Sequence, residues 1–484
     1  MAWLVRDTVV RPSSLLAADL AKYGSTAQWR GVYYRGTKVG FTVAQTVPRE
    51  DGFELQEDGQ LEMTLLGAAS IAKVRTVARV DRAFALQSFD FSMDPGTGAV
   101  QVSGVVDGTR IGLRITTASG VRTQDLQLDE PPALALNLGR RLADGKLVPG
   151  ARYTWPVFDP ATLRNAPMTI VVGDREVVRA GEQRLPAFRV VMETAGLQVT
   201  SWITDTGELV REDSPLGLMT VREPAEVATK MAVSGRTRDD LIRTSAVVPT
   251  MDGQIDDTRD VERIRLQITG VELKGLDLDG VGQWLAGDVV EIHNPKSLVP
   301  LTRDRTAGDY LQAEPFIESD AEEIRAETEA ALRGVTGSRA RAERLVRYVN
   351  GLLEKKPTIS LPSAREVLRT KIGDCNEHTA LYVAMARAAG IPARIAVGLA
   401  YVNGAFYYHA WPEVYLSEAG GNGMWLPVDP TFNQFPADGT HLRLVRGGLD
   451  KQAAILPLIG RMRMRVLDLQ VGAGTTRITV GAAQ

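Results

Sequence analysis

The sequence predicts a multidomain α+β protein, with N-terminal antiparallel β structure followed by an α+β module. Three observations carry this. From Trp29 to about residue 233 the chain is rich in β-branched and aromatic residues, broken by turn clusters. At about residue 313 apolar residues take up helical spacing. After Pro392 a spacing of two returns.

Composition supports a globular chain. It has 484 residues, a length that suggests two to four domains. Apolar residues make up 44% and charged residues 24%, enough for real cores. The net charge is −3 and no block of like charge stands out, so nucleic acid is not an expected partner. The single cysteine cannot form an internal disulfide, which suits cytoplasm or periplasm alike. No run approaches the ~18 apolar residues of a membrane helix. In MAWLVRDTVVRPSS, Arg6 and Asp7 interrupt the apolar run, so it does not read as a signal peptide. The expected location is cytoplasmic, or periplasmic if an export segment precedes these residues. No motif speaks to oligomeric state.

In chain order, residues 1–28 form a lead, with a helical pattern over LLAADLAKYG. Residues 29–235 read as an antiparallel β domain, a sandwich or part-barrel. Asp94-Pro95-Gly96-Thr97-Gly98 and Asp205-Thr206-Gly207 are its clearest turns, and 134–145 a crossing helix. Residues 236–312 read as a smaller β-rich segment, with VERIRLQITG and QWLAGDVVEIH as strands. From 313 to 450 comes the α+β domain. Ser319-Asp320-Ala321-Glu322 and Ser363-Ala364-Arg365-Glu366 read as capping boxes, and Ser338 as a cap. Leu345, Val346, Val349, Leu352 and Leu353 form one apolar helical stripe, a core face. Residues 451–484 read as a final pair of strands.

The stretch KIGDCNEHTALYVAMARAAGIPAR holds the lone cysteine. Gly373-Asp374 ends one helix and Asp374 can cap the next, so Cys375 falls in its first turn. Unpaired N–H groups there favour a thiolate and can hold an oxyanion. His409 and Asp429 lie on the two strands after that helix, and the midpoint between them falls in Ser417–Asn422, the evident turn. A simple hairpin would set them directly opposite, on one face of the sheet. A thiol, an imidazole and a carboxylate in that arrangement form a nucleophile, base and orienter.

GDCNEHTALYVAMARAAGIPAR, YYHAWPEVYL and WLPVDPT together resemble the transglutaminase-like superfamily over about residues 313–435. The resemblance implies a papain-like α+β fold with Cys375, His409 and Asp429 as catalytic triad. It implies acyl transfer through a thioester, with no cofactor. Cross-linking members use an upstream Trp as oxyanion donor and bind calcium. Here no Trp lies between Trp284 and Glu366 and no EF-hand-like loop is present, so hydrolysis or a specialised transfer is the expected outcome.

Blander roles suit the neighbours. Alone, Cys375 would read as a buried structural thiol. His378 shares its helix face but stays outside the triad, and a zinc set of Cys375, His378 and His409 lacks a second matched pair. Glu377 reads as structural at the helix terminus, Trp411 as packing on the His409 face, and Trp425 as a shield over Asp429. Of Tyr407 and Tyr408, one ring should enter the core and the other the cleft. His293 and His441 show no readable partner. Two functions compete: a cysteine amidase, peptidase or acyltransferase acting on a peptide or protein amide, and an inert scaffold that binds or assembles through its β portion.

Overall fold

The structure, a computed structural model, describes residues 23–24, 26–65, 68–95, 99–181, 183–194, 197–214, 217–230, 246–253, 255–298, 304–356, 363–417, 423–447, 455, 458, 461–472 and 478–479. Most of the expected lead helix, the 96–98 turn and the 418–422 turn lie outside these residues.

Fourteen strands, from β1 (Gln28–Tyr34) to β14 (Leu218–Arg222), make one antiparallel sheet among the described residues. The first eight meander outward to β8 (Gly120–Gln127), and the last six return from β9 (Arg152–Asp159) until β14 pairs with β1. Alternation decides which face is covered. In β7 (Arg110–Thr117), Ile111, Leu113 and Ile115 are buried while Arg110 and Arg114 are exposed. Helix α1 (Ala135–Ala143) buries Leu138 and Leu142 against Ile170 and Val172. It touches β9 as well as β3 (Gly52–Leu65) and β4 (Ala68–Asp81), which lie far from β9 in strand order, so the sheet wraps around it.

A five-stranded antiparallel sheet follows. It contains β15 (Val261–Thr269), β16 (Gln283–Ala286), β17 (Val289–His293), β24 (Arg463–Val471) and β25 (Ile478–Thr479), and β24 pairs with β15. The C-terminal strands therefore complete the segment around residues 261–293 instead of pairing only with each other. QWLAGDVVEIH, expected as one strand, is a hairpin, because Gly287 at φ +66° allows the chain to reverse there.

Against this sheet lies a four-stranded one, in the order β22 (Gly423–Pro427), β21 (Ala405–Ser417), β20 (Ala393–Val402), β23 (His441–Arg446). Ile264, Leu266 and Val290 meet Val397, Leu399 and Phe406 in the core between the two sheets. After the short α2 (Ala225–Ala228), four α-helices among the described residues complete the α+β part: α3 (Glu322–Ala331), α4 (Ser338–Leu352), α5 (Ala364–Thr370) and α6 (Cys375–Ala388). The first three surround α6, which lies on β20 and β21. Leu381, Val383, Ala384 and Met385 of α6 are fully buried, together with Leu345, Val346 and Val349 of the α4 stripe.

Two expected caps differ. No side chain caps α3, because Asp320 turns outward to pair with Arg122 of β8 at 3.2 Å. Ser338 is the first residue of α4, and Gly337 at φ +82° precedes it as the cap residue. Ser363 does cap α5, but Glu366 bonds Arg369 and Ser119 instead of closing the box. Arg365 also bonds the Ser119 carbonyl, so α5 is fastened to the turn between β7 and β8.

Candidate active site

The segment before α6 is built for close approach. Lys371 leaves α5 in the left-handed conformation, at φ +55°. Strands β18 (Glu354–Lys355) and β19 (Ile372–Gly373) then pair in parallel beside the helix start. A Cβ on Gly373 would lie 2.2 Å from Glu377 Cβ, so only glycine fits. The Asp374 carboxylate accepts from Asn376 N–H at 3.0 Å, and Glu377 reaches back to Asp374 N–H at 2.9 Å. This closed capping box gives Glu377 the structural role expected of it.

Cys375 is thereby the first residue of α6, and its N–H has no intrahelical acceptor. Thr379, one turn on, donates its hydroxyl to the Ala410 carbonyl at 3.0 Å, tying the helix start to the strand residue after His409. The Cys375 thiol is pushed well up, by burial first and then by Asp374, Glu377 and Asp429, while the Ala410 N–H opposes the shift. The lowering expected from helix position is opposed by burial first, and then by the capping acids and Asp429.

His409 lies in β21 opposite Gly398, buried, with its ring stacked on Phe432 at 4.7 Å and on Trp411 at 5.9 Å. Its Nε2 is 2.7 Å from Asp429 Oδ2. A carboxylate only accepts, so Nε2 carries a proton. Among the described residues neither ring nitrogen bonds Cys375. The thiol lies against the Ala410 N–H and within electrostatic reach of Asp429.

Asp429 arrives by a different register from the one expected. The β21–β22 ladder pairs Glu413 with Pro427 and Tyr415 with Trp425, two residues off the simple hairpin. Continued, it would set Asp429 opposite Trp411 and diagonal to His409. The shift keeps the parity, so both side chains stay on one face. Asp429 then opens a tight loop. Its Oδ1 accepts from Thr431 and Phe432 N–H at 2.7 and 2.9 Å, and Asn350 of α4 holds the Pro430 and Thr431 carbonyls. Burial would raise the Asp429 carboxyl, but His409 and His441 hold it well below the usual range.

His441, at the start of β23, is the residue that sequence reasoning misses. Its Nε2 lies 3.1 Å from the same Asp429 Oδ2, and its Nδ1 lies 3.1 Å from Asp438 Oδ1. Burial would discharge it, but the Asp438 and Asp429 carboxylates prevail and push its pKa up to about 10. Asp438 is itself fixed by Gln434 and Thr440. The available signal was the spacing of Asp438 and His441, three apart across Gly439-Thr440. Among the described residues, donor atoms of His409, Asp429 and His441 converge within 4.8 Å, whereas Cys375 and His378 do not join them. Hydrogen bonds account for the approach, since two N–H groups share one carboxylate oxygen.

The remaining expectations sort themselves. His378 is buried, its Nδ1 bonded to the Asp374 carbonyl at 2.6 Å and its Nε2 without a partner. Burial holds its pKa down, so it stays neutral. Trp411 packs as expected. Trp425 does not cover Asp429: its N–H donates to Asp304 at 2.8 Å and its ring lies under Arg394. A cleft of about 670 Å³ borders the site, with Phe432, His441 and Asp438 on one side and Asp256, Asp257 and Lys355 among its other walls.

Residues 326–430 match the family model of the transglutaminase-like superfamily, a stretch that includes Cys375, His409 and Asp429. The chain carries a transglutaminase-like domain. No curated protein matches the sequence. Among solved structures, a β-barrel-like protein of unknown function from Brucella abortus is 13% identical, covers 41% of this chain and 96% of its own, and has a TM-score of 0.32. A proposed cysteine protease from Cytophaga hutchinsonii is 15% identical over 46% of this chain and 90% of its own, with a TM-score of 0.29. A proposed protease from Parabacteroides distasonis is 10% identical over 79% and 70%, with a TM-score of 0.20. No helix among the described residues is long and apolar enough to cross a membrane.

Proposed function

We propose that the transglutaminase-like domain is a cysteine-dependent enzyme that hydrolyses or transfers an amide of a peptide or protein through a thioester. The observation that supports this best is the His409–Asp429 bond at 2.7 Å, which puts the proton on Nε2 and leaves Nδ1 to serve as the base. The substrate presents its carbonyl to Cys375. His409 Nδ1 takes the thiol proton as sulfur attacks, and Asp429 stabilises the imidazolium. The free Cys375 N–H supplies part of the oxyanion site. His409 then protonates the departing amine, and water or an amine resolves the thioester.

A thiol raised by burial suits this mechanism if His409 takes its proton, and it suits an inert scaffold if His409 does not. The test is alkylation of Cys375 by iodoacetamide across pH. Cys375 is the only cysteine, so mass spectrometry reads one event. Alkylation that is fast well below ~8.5, where a free thiol titrates, and that is lost in His409→Ala, is expected. A slow reaction indifferent to His409 would overturn the enzyme reading.

A further inference from the structure

The His409–Asp429 pair does not stand alone. Asp429 Oδ2 accepts from two imidazoles, His409 at 2.7 Å and His441 at 3.1 Å. The other nitrogen of His441 faces Asp438 Oδ1 at 3.1 Å. Carboxylates only accept, so both His441 nitrogens must carry protons, and that ring is an imidazolium. His441, Asp429 and Asp438 are all buried, so water screens none of these charges strongly. The His441 ring stands edge-on to His409 at 5.7 Å between centroids, with Trp411 and Phe432 also against it. The cleft side adds Asp256, Asp257, Arg259 and Lys355.

We propose that His441 is a positioning residue of this site, a fixed cation clamped between Asp438 and Asp429 that aims the Asp429 carboxylate at His409 and offsets acidic charge beside Cys375. The need for it is visible in the surroundings of the thiol. Asp374, Glu377 and Asp429 all oppose a thiolate at Cys375. Without His441, Asp429 and Asp438 would add two uncompensated negative charges on the side from which the base must act. Asp429 would also lose one of the two donors that fix Oδ2. This inference rests on the reading of Cys375 and His409 as nucleophile and base.

Two measurements test it. In His441→Gln, which keeps an N–H donor but no charge, the midpoint of Cys375 alkylation should move up by about one pH unit, because a positive charge is removed from the site. Loss of packing alone would lower the rate plateau and leave the midpoint in place, and an unmoved midpoint in a folded variant overturns the proposal. The second measurement needs no variant at the site. Imidazole ¹⁵N spectra of the wild-type chain, with four histidines to assign, should show both His441 nitrogens protonated at pH 8. A bare nitrogen on His441 at that pH overturns the proposal. The spectra are read on the resting protein, so an unreactive Cys375 would sink the enzyme reading and leave the His441 result to be judged separately.

Discussion

The outer strands of the fourteen-stranded sheet and the polar face of the four-stranded sheet both carry charge, and they hold it in opposite ways. On the first, Arg110 and Asp125 pair at 2.7 Å with side chains 60% and 62% exposed, and Arg175 pairs with Asp205 in similar exposure. On the second, Glu413 is 1% exposed and meets Arg394, Arg443 and Arg446, while Asp429 meets two imidazoles at 0% exposure. A surface pair can be exchanged for water at little cost. A buried charge needs every partner in place, so its geometry is fixed by the fold. The face that carries the proposed triad is also the face where charge is buried. Charge geometry on the four-stranded sheet should therefore be rigid under substitution, and on the outer strands it should be indifferent.

The largest effect should come from Asp429→Asn. The amide can donate to His409 Nε2, which would move the ring proton to Nδ1 and leave no base for Cys375. Alkylation of Cys375 at pH 6 should fall by about a hundredfold, the usual worth of a positioned general base. Rates matching wild type in the folded variant would break the comparison at its functional end.

Glu413→Gln comes next. It takes their shared carboxylate from buried Arg443 and half-buried Arg394 and Arg446, and the loss of stability should be about 3 kcal/mol in urea unfolding. The same cluster has an acid signature. Burial would raise the Glu413 pKa, but Arg446, Arg443 and Arg394 hold it down at about 2. A depressed carboxylate stabilises the fold above its unfolded pKa and ceases to do so as pH falls, so this contribution should be lost between about 4.5 and 2. His441 has the opposite sign. Its pKa is raised to about 10, so its contribution is complete below 6.5 and is lost as pH rises through 10. Wild-type stability should decline over that alkaline window, and His441→Gln should flatten the decline. A flat wild-type profile there would show that His441 is not held charged.

Much of this contrast was readable in the residues, and the unread part has a common cause. Asp374, Cys375 and Glu377 act within one helical turn, so local spacing sufficed to place the thiol and its cap. The parity of His409 and Asp429 survived a register error because a shift of two leaves side chains on the same face. What depended on distant chain was hidden. His441 gains its meaning only when β23 is laid beside β20, and Trp425 meets Asp304 across more than a hundred residues. The failed cap at Asp320 reflects competition from Arg122, a residue of the other sheet. The union of β15 with β24 likewise joins segments that no local pattern links.

Gly373→Ala should have a moderate effect. The added methyl group would meet Glu377 Cβ at 2.2 Å and force open the capping box, a loss of about 1–2 kcal/mol by the usual worth of a cap. Because Glu377 would swing away from the helix start, an acid opposing the thiolate would also move. The variant should melt earlier while Cys375 alkylates no more slowly per folded molecule. A reactive site lost along with stability would mean that the box positions Cys375 as well as capping α6.

The smallest effect should be that of Asp125→Asn on β8. Its partner Arg110 is open to solvent, so water replaces the lost carboxylate at once. The melting midpoint should stay within error of wild type at moderate salt, and Cys375 alkylation should be unchanged. A clear loss of stability would mean that this strand edge is braced by its charges after all. The contrast between the two sheets would then reduce to one of degree, with the rigidity around Asp429 no longer special to the site.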